Sequence, residues 1–141
     1  MNDTPALAEL VIEQISDAVI FADCSETIAR WNRAAETLFG YSANEAAGRK
    51  LDLIIPEHLR AAHSTGFGMA IANGATRLHG RPTLTRATHK SGRKLYVEMT
   101  FALVKAADGT VLGSAAVVRD VTERIEKERA TRPVSTGSER N

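Results

Sequence analysis

Among the four histidines of this chain, His63 has the surroundings best suited to chemistry. If the segment from Pro56 to Ala72 is a helix, Leu59, His63 and Phe67 stand four apart and share one stripe with Ala70 and Ile71. The imidazole then faces the core rather than water, where a neutral ring needs partners for its nitrogens. His58 is no second ligand, because five residues turn a helix by about 140° past full circle and put the two rings on different faces. Further along, His79 and Arg81 flank a second stretch of polar chemistry, and Pro82 beside them argues for a bulge or an edge position in a sheet. Either residue can also be an ordinary solvated strand residue. No HExxH, GxxxxGK[ST] or GxSxG motif is present, and no nucleophile, base and oxyanion donor line up. The expectation is a chain without catalytic activity.

The rest of the composition narrows the partners. A length of 141 residues with 43% apolar residues suits one domain with its own core and excludes a multidomain enzyme. Eighteen Lys plus Arg against 17 Asp plus Glu give a formal charge of +1, so no net field gathers nucleic acid or an anionic membrane. Arg86, His89, Lys90, Arg93 and Lys94 do cluster near one hairpin, yet Tyr96 is the only aromatic residue close by, and a solvated turn is the simpler account. A lone Cys24 closes no internal disulfide and fits a reducing cytosol. The start MNDTPALAEL has no basic-then-apolar character, and apolar runs such as Ala18 to Ala22 are too short to span a bilayer. A cytoplasmic location is expected, with neither nucleic acid nor membrane as a partner.

The elements that must position His63 follow from periodicity and punctuation. Thr4 and Pro5 open an amphipathic helix carrying Leu7, Leu10, Val11 and Ile15. AVIFAD and TIARWN form a hairpin around Cys24-Ser25-Glu26. Asn32 caps a short helix stopped by Gly40, and Ser42 with Glu45 caps another ended by Gly48. The long helix from Pro56 ends at Asn73-Gly74, and Gly66 and Gly68 inside it, each costing roughly 1 kcal/mol relative to Ala, make sense if something flat lies against the backbone. Three strands come next. Lys94 to Leu103 alternates, with Leu95, Val97, Met99, Phe101 and Leu103 on one face, and Thr110 to Arg119 is apolar on both faces, as a central strand is. Asp120 with Glu123 then launches a charged helix in which Glu123 and Lys127 pair. The expected fold is α+β: a five-stranded antiparallel sheet with short helices and one longer helix over one face, an amphipathic N-terminal helix and a charged C-terminal helix. The corresponding divisions are an N-terminal helix over 1–16, a core over 17–120, a signalling helix over 121–130 and a disordered tail over 131–141.

Several runs together resemble a PAS domain, the small sensory module of signalling proteins: DAVIFAD, Trp31 to Glu36 followed by Leu38-Phe39-Gly40-Tyr41, the turn Ser91-Gly92-Arg93, and Val118 to Arg124. The resemblance covers about residues 6 to 125. It implies a sheet whose apolar face encloses, with the long helix, a cavity for a cofactor or metabolite, and flanking helices that pass a signal on. Ile54 to His63 resembles the segment around the haem-ligating histidine of FixL-type oxygen sensors and of direct oxygen sensor phosphodiesterases, with His63 at the ligand's position. That resemblance implies b-type haem on His63, in a site also drawing on Leu59, Phe67, Ile55, Leu78 and Met99, with oxygen or another diatomic gas as the signal. An apolar wall with one axial imidazole suits the macrocycle.

The distal side departs from both relatives. A gapless count puts Thr83 where FixL-type proteins carry the oxygen-stabilising arginine, and Arg81 where the phosphodiesterases carry a methionine ligand. Arg81 is then the candidate donor to bound oxygen, with His79 as a rival sixth ligand. The alternative is a core histidine hydrogen-bonded within the protein, since PAS domains without haem carry a similar Pro-x-x-x-Arg-x-x-His run. The module is then a cofactor-free dimerisation adaptor, or one that binds a small metabolite. Flavin-photochemical PAS domains carry a cysteine in a Gly-x-Asn-Cys-Arg segment that has no counterpart here, so Cys24 is an incidental thiol. A homodimer through the N-terminal helix is expected, with an effector either acting in trans or lying on a longer chain. Glu128 stands where the terminal helix's heptad wants an apolar residue, so that helix alone is a poor coiled coil.

Overall fold

The computed structural model describes residues 6–76 and 80–131. Helix α1 (Leu7–Gln14) precedes the hairpin of β1 (Ala18–Asp23) and β2 (Ile28–Trp31). Two short helices, α2 (Arg33–Phe39) and α3 (Ala43–Ala46), lead through 3-10 turns at Leu51–Ile54 and Glu57–Leu59 into α4 (Arg60–Asn73). Three strands, β3 (Thr83–Thr88), β4 (Lys94–Lys105) and β5 (Val111–Asp120), are followed by α5 (Thr122–Thr131). All five strands form one sheet in the order β2-β1-β5-β4-β3, and every neighbouring pair is antiparallel. The α+β, five-stranded expectation is met, and β5 is indeed central.

Local chemistry explains the first hairpin and the helices behind it. The Asp23 carboxylate accepts from the Ser25 and Thr27 amides at 2.9 and 3.0 Å, forming the turn in place of an Asn-Gly pair. Asn32 caps α2 by accepting from the Ala35 amide, and Gly40 ends that helix at φ 85°. A Cβ at Gly40 would stand 2.6 Å from the His89 ring, so this position needs glycine for both space and backbone. Ser42 and Glu45 complete the expected capping box. The core joins one sheet face (Ala18, Ile20, Trp31, Leu95, Val97, Val118) to Phe39, Ala46 and Ile54 from the elements over it. Trp31 meets Phe39 at 5.5 Å between ring centres, and its indole N–H donates to the Tyr41 carbonyl.

Five details differ from the periodicity reading. The single helix from Pro56 is a 3-10 turn followed by α4, because the chain enters the helix with Pro56 in an extended conformation. The 3-10 turn at Leu51–Ile54 is too short to leave a periodic signal. Helix α1 starts after Ala6, which makes no side-chain cap, while Thr4 and Pro5 lie outside the described residues. Asp120 ends β5 rather than capping α5 by a reciprocal box, and its carboxylate accepts from the Thr122 amide at 2.9 Å. Of the segment assigned to a tail, Thr131 closes α5 and 132–141 lie outside the described residues.

Candidate ligand-binding site

Between the inner sheet face and the helical side lies a cavity of about 240 Å³. Its wall is the inward alternation of three strands, Ile20 and Ala22 of β1, Met99 and Phe101 of β4, and Ser114 and Ala116 of β5, together with β3 residues from Thr83 to Arg86. Opposite them stand Leu51, Ile54, Ile55, Leu59, His63 and Phe67. A second, more open cavity of about 570 Å³ shares His63, Phe67, Phe101 and Ser114 with the first and adds Arg81 and Gly66 to the lining.

The expected stripe on α4 is therefore real. Leu59, His63 and Phe67 all face the first cavity, and Ile55 and Met99 meet them there. Arg81 faces the second cavity together with His63. Arg81 and Pro82 precede β3 rather than belong to it, and β3 is an edge strand, the placement Pro82 calls for. Thr83 lines the first cavity. Leu78 and His79 lie outside the described residues. A Cβ at Gly66 or Gly68 would meet no protein atom within 4 Å, so each glycine leaves open space beside α4. Only Gly66 borders a cavity.

Sequence reasoning missed Glu26. Its carboxylate oxygen lies 3.4 Å from His63 Nδ1, within ion-pair reach, yet the line of approach makes no hydrogen bond, and Nδ1 is buried without one. Glu26 is also the one non-glycine residue with positive φ, 66°, among the described residues. Side chains in that region cost about 1–3 kcal/mol and collect at functional sites. Glu26 accepts from the Ser64 hydroxyl at 3.4 Å, so one carboxylate reaches two neighbouring residues of α4. Nothing in the spacing of Glu26 and His63 announces this, because the hairpin turn and α4 are brought together only by the fold.

A flat apolar cofactor held by an imidazole fits these residues. The lining is aliphatic and aromatic, the histidine borders both spaces, and a carboxylate behind the ring is the usual partner that sets the tautomer of a metal-bound histidine. Among the described residues no three His, Cys, Asp or Glu side chains come together, so protein ligation of a bare metal ion has no cluster to work from.

Comparison with known proteins places this geometry. The PAS domain family profile matches residues 16–123. A protein of Azorhizobium caulinodans, uncharacterized in function, is 31% identical over 126 residues, 89% of this chain and 17% of that one. The oxygen sensor protein DosP of Escherichia coli K12 is 30% identical over 122 residues, 86% of this chain and 15% of DosP. The chain thus spans under a fifth of either relative's length. Among solved structures, the PAS domain of a Colwellia psychrerythraea protein superposes with a TM-score of 0.73 at 21% identity, covering 83% of this chain and 96% of that one.

Proposed function

Because this chain belongs to the PAS domain family, we propose that it is a sensory module that holds a small ligand between its inner sheet face and α4, with His63 as the ligand's anchor. The observation that carries the reading is His63 itself, bordering both cavities with its Nδ1 buried, unbonded and 3.4 Å from a carboxylate. The sharper form makes the ligand b-type haem, whose iron supplies an open coordination position for a diatomic gas such as oxygen. DosP, one of the relatives, is named an oxygen sensor protein, which supports that form. His63 would hold the group and Glu26 would orient its ring. Leu59, Phe67, Ile55 and Met99 would exclude water, and Arg81 would supply donors on the second-cavity side.

Signalling then runs through the flanking helices without catalysis by this chain. The stripe Leu7, Leu10 and Val11 on α1, with Ile15 just after it, is exposed and offers a homodimer contact, with an effector domain or partner receiving the output. No described helix is long and apolar enough to cross a membrane, and a cytoplasmic setting with no nucleic-acid partner remains our proposal.

A second reading is favoured by size. The first cavity, at about 240 Å³, taken by itself falls below the roughly 300–1,000 Å³ usual for drug-sized ligands, which suits a small metabolite or an adaptor with no cofactor. The visible spectrum after haemin addition separates the readings. The haem form requires a Soret band that His63→Ala weakens or shifts, and its absence removes haem. Native mass spectrometry of the untreated protein then distinguishes a bound metabolite from an empty dimer.

A further inference from the structure

We propose that Tyr96 is a latch, held between the guanidiniums of Arg86 and Arg129, through which the cavity-lining edge strand β3 sets the direction of α5. The ligand-driven use of this latch rests on the reading of the cavity as a binding site, but its mechanical part does not.

Helix α5 has no buried residue, so its direction depends on a few contacts. Its start is fixed at Tyr96. The Val121 amide donates to the Tyr96 carbonyl at 2.9 Å, the Tyr96 amide donates to the Thr122 hydroxyl at 2.9 Å, and that hydroxyl donates back to the same carbonyl at 3.3 Å. Seven residues on, the Arg129 guanidinium carbon lies 5.4 Å from the centre of the Tyr96 ring. One tyrosine thus holds the helix at two points about two turns apart, which is what fixes a direction rather than only an origin.

The same ring is gripped from β3. Arg86 is paired with Tyr96 across the β3–β4 ladder, and its guanidinium carbon lies 5.7 Å from the ring centre. Both backbone polar groups of Tyr96 turn toward the start of α5, so its pairing with Arg86 is of the non-hydrogen-bonded kind, in which side chains approach more closely. Strand β3 is hydrogen-bonded on one side only and supplies Thr83 to Arg86 to the cavity wall. Among the strands of the wall it is the one at the sheet's edge, with a neighbour on one side only. A change in cavity filling that shifts β3 shifts Arg86, and the Tyr96 ring passes that shift to Arg129. Of the basic residues clustered around this hairpin, Arg86 thereby gains a role that a solvated turn does not give it.

The test measures α5 directly. Spin labels on the exposed Cys24 and on Glu126→Cys report the distance between the first hairpin and α5 by pulsed electron resonance. The otherwise native protein should give one narrow distribution. Tyr96→Leu and Arg129→Ala should each at least double its width. Arg86→Ala should do so as well, although Arg86 lies on β3, and should add nothing in the Tyr96→Leu background. For the cavity, Thr85→Phe fills the wall without any ligand and should move the mean distance in the native background but not with Tyr96→Leu. If circular dichroism shows that Thr85→Phe does not fold, pressurised xenon, which enters apolar cavities, serves as the filler. An Arg86→Ala distribution equal to the native one overturns the latch, as does a filler-induced shift that survives Tyr96→Leu. Because no physiological ligand is used, failure of the haem reading leaves these outcomes unaffected.

Discussion

Replacing Asn32 should loosen the N-terminal helix and the sheet together, and the two effects can be separated. Asn32 is the only buried polar residue among those described, at 2% exposure, and its amide is fully used. Oδ1 accepts from the Val19 amide at 2.9 Å and from the Ala35 amide at 3.0 Å, while Nδ2 donates to the Ile12 carbonyl at 2.8 Å and the Asp17 carbonyl at 3.1 Å. Four segments therefore meet on one side chain: the end of α1, the α1–β1 link, β1 and α2. Asn32→Ala orphans two amide donors at about 1–3 kcal/mol each, while the two carbonyls near the surface recover water. The expected loss is about 3 kcal/mol in urea unfolding with an unchanged slope, a large part of the 5–15 kcal/mol typical of a domain.

Asn32→Asp sharpens the test. A carboxylate still accepts from Val19 and Ala35, and it sits well at the α2 N-terminus, so β1 and α2 stay joined. It can no longer donate, and it faces the Ile12 and Asp17 carbonyls with negative charge. The ion pairs on α1, Glu9–Arg30 at 3.4 Å and Glu13–Arg33 at 3.8 Å, are exposed and contribute little. The amides of Leu10 and Ile15, bonded to Ala6 and Val11, should then lose hydrogen-exchange protection while β1 keeps its own. If α1 uses its exposed stripe for dimerisation, the dimer seen by native mass spectrometry should weaken in the same variant. Unchanged protection in α1, or a loss below about 1 kcal/mol in Asn32→Ala, refutes the account of Asn32 as the junction of these segments.

Three further outcomes follow from the same structure. Gly68→Ala, with open space at the added methyl, should raise stability by about 0.5–1 kcal/mol in thermal or urea unfolding, whereas Gly66→Ala should give the same gain but weaken whatever binds beside it in the second cavity. Glu26→Gly should relieve the positive φ and stabilise the fold by up to about 1 kcal/mol, while Glu26→Gln, which keeps the strain, should not. Glu45 is held below its usual 4.5 chiefly by its hydrogen bond with Lys90 and then by the Ser42 amide. A depressed carboxyl contributes stability above its unfolded value and loses it as pH falls through the folded one. The melting-temperature gap between the native protein and Lys90→Met should therefore be constant at neutral pH and close on acidification below 4.5.

The parts of this fold visible in the sequence are those whose cause is local. Asn32, Ser42 and Glu45 cap the helices that their spacing announces, and the alternation from Leu95 to Leu103 sorts β4 into a cavity face and an outer face. The α4 stripe put His63 on the correct wall for the same reason. What spacing could not give is contact between elements far apart in the chain. Asn32 reads as a cap, but its bonds to Ile12 and Asp17 depend on α1 folding back. Tyr96 reads as an alternating strand residue, but its place between Arg86 and Arg129 depends on how α5 leaves β5. The two apolar faces of β5 correctly marked it as central, yet Val117 and Leu112 stay exposed at 39% and 47%. Periodicity reports that a face is apolar, not what covers it.

Two costs converge on the contact between Glu26 and His63, and together they say what kind of group the cavity can welcome. A buried ring nitrogen without a partner costs about 1–3 kcal/mol, and a glutamate held at positive φ costs a similar amount. The first cost eases if the ring turns slightly so that Nδ1 carries the proton and donates it to the Glu26 carboxylate 3.4 Å away, and the bond so formed offsets the second. That tautomer leaves Nε2 as a lone-pair acceptor. A site arranged in this way favours an occupant that is electron-poor at the point of contact, a metal centre or a hydrogen-bond donor. It disfavours an anionic group, which would meet a lone pair backed by a carboxylate. Haem and a neutral metabolite with a donor group both satisfy that condition, and a free carboxylate ligand aimed at His63 does not. If His63→Ala were to leave binding of the occupant intact while Glu26→Gln weakened it, the carboxylate would be making the contact itself and this ordering of roles would be wrong.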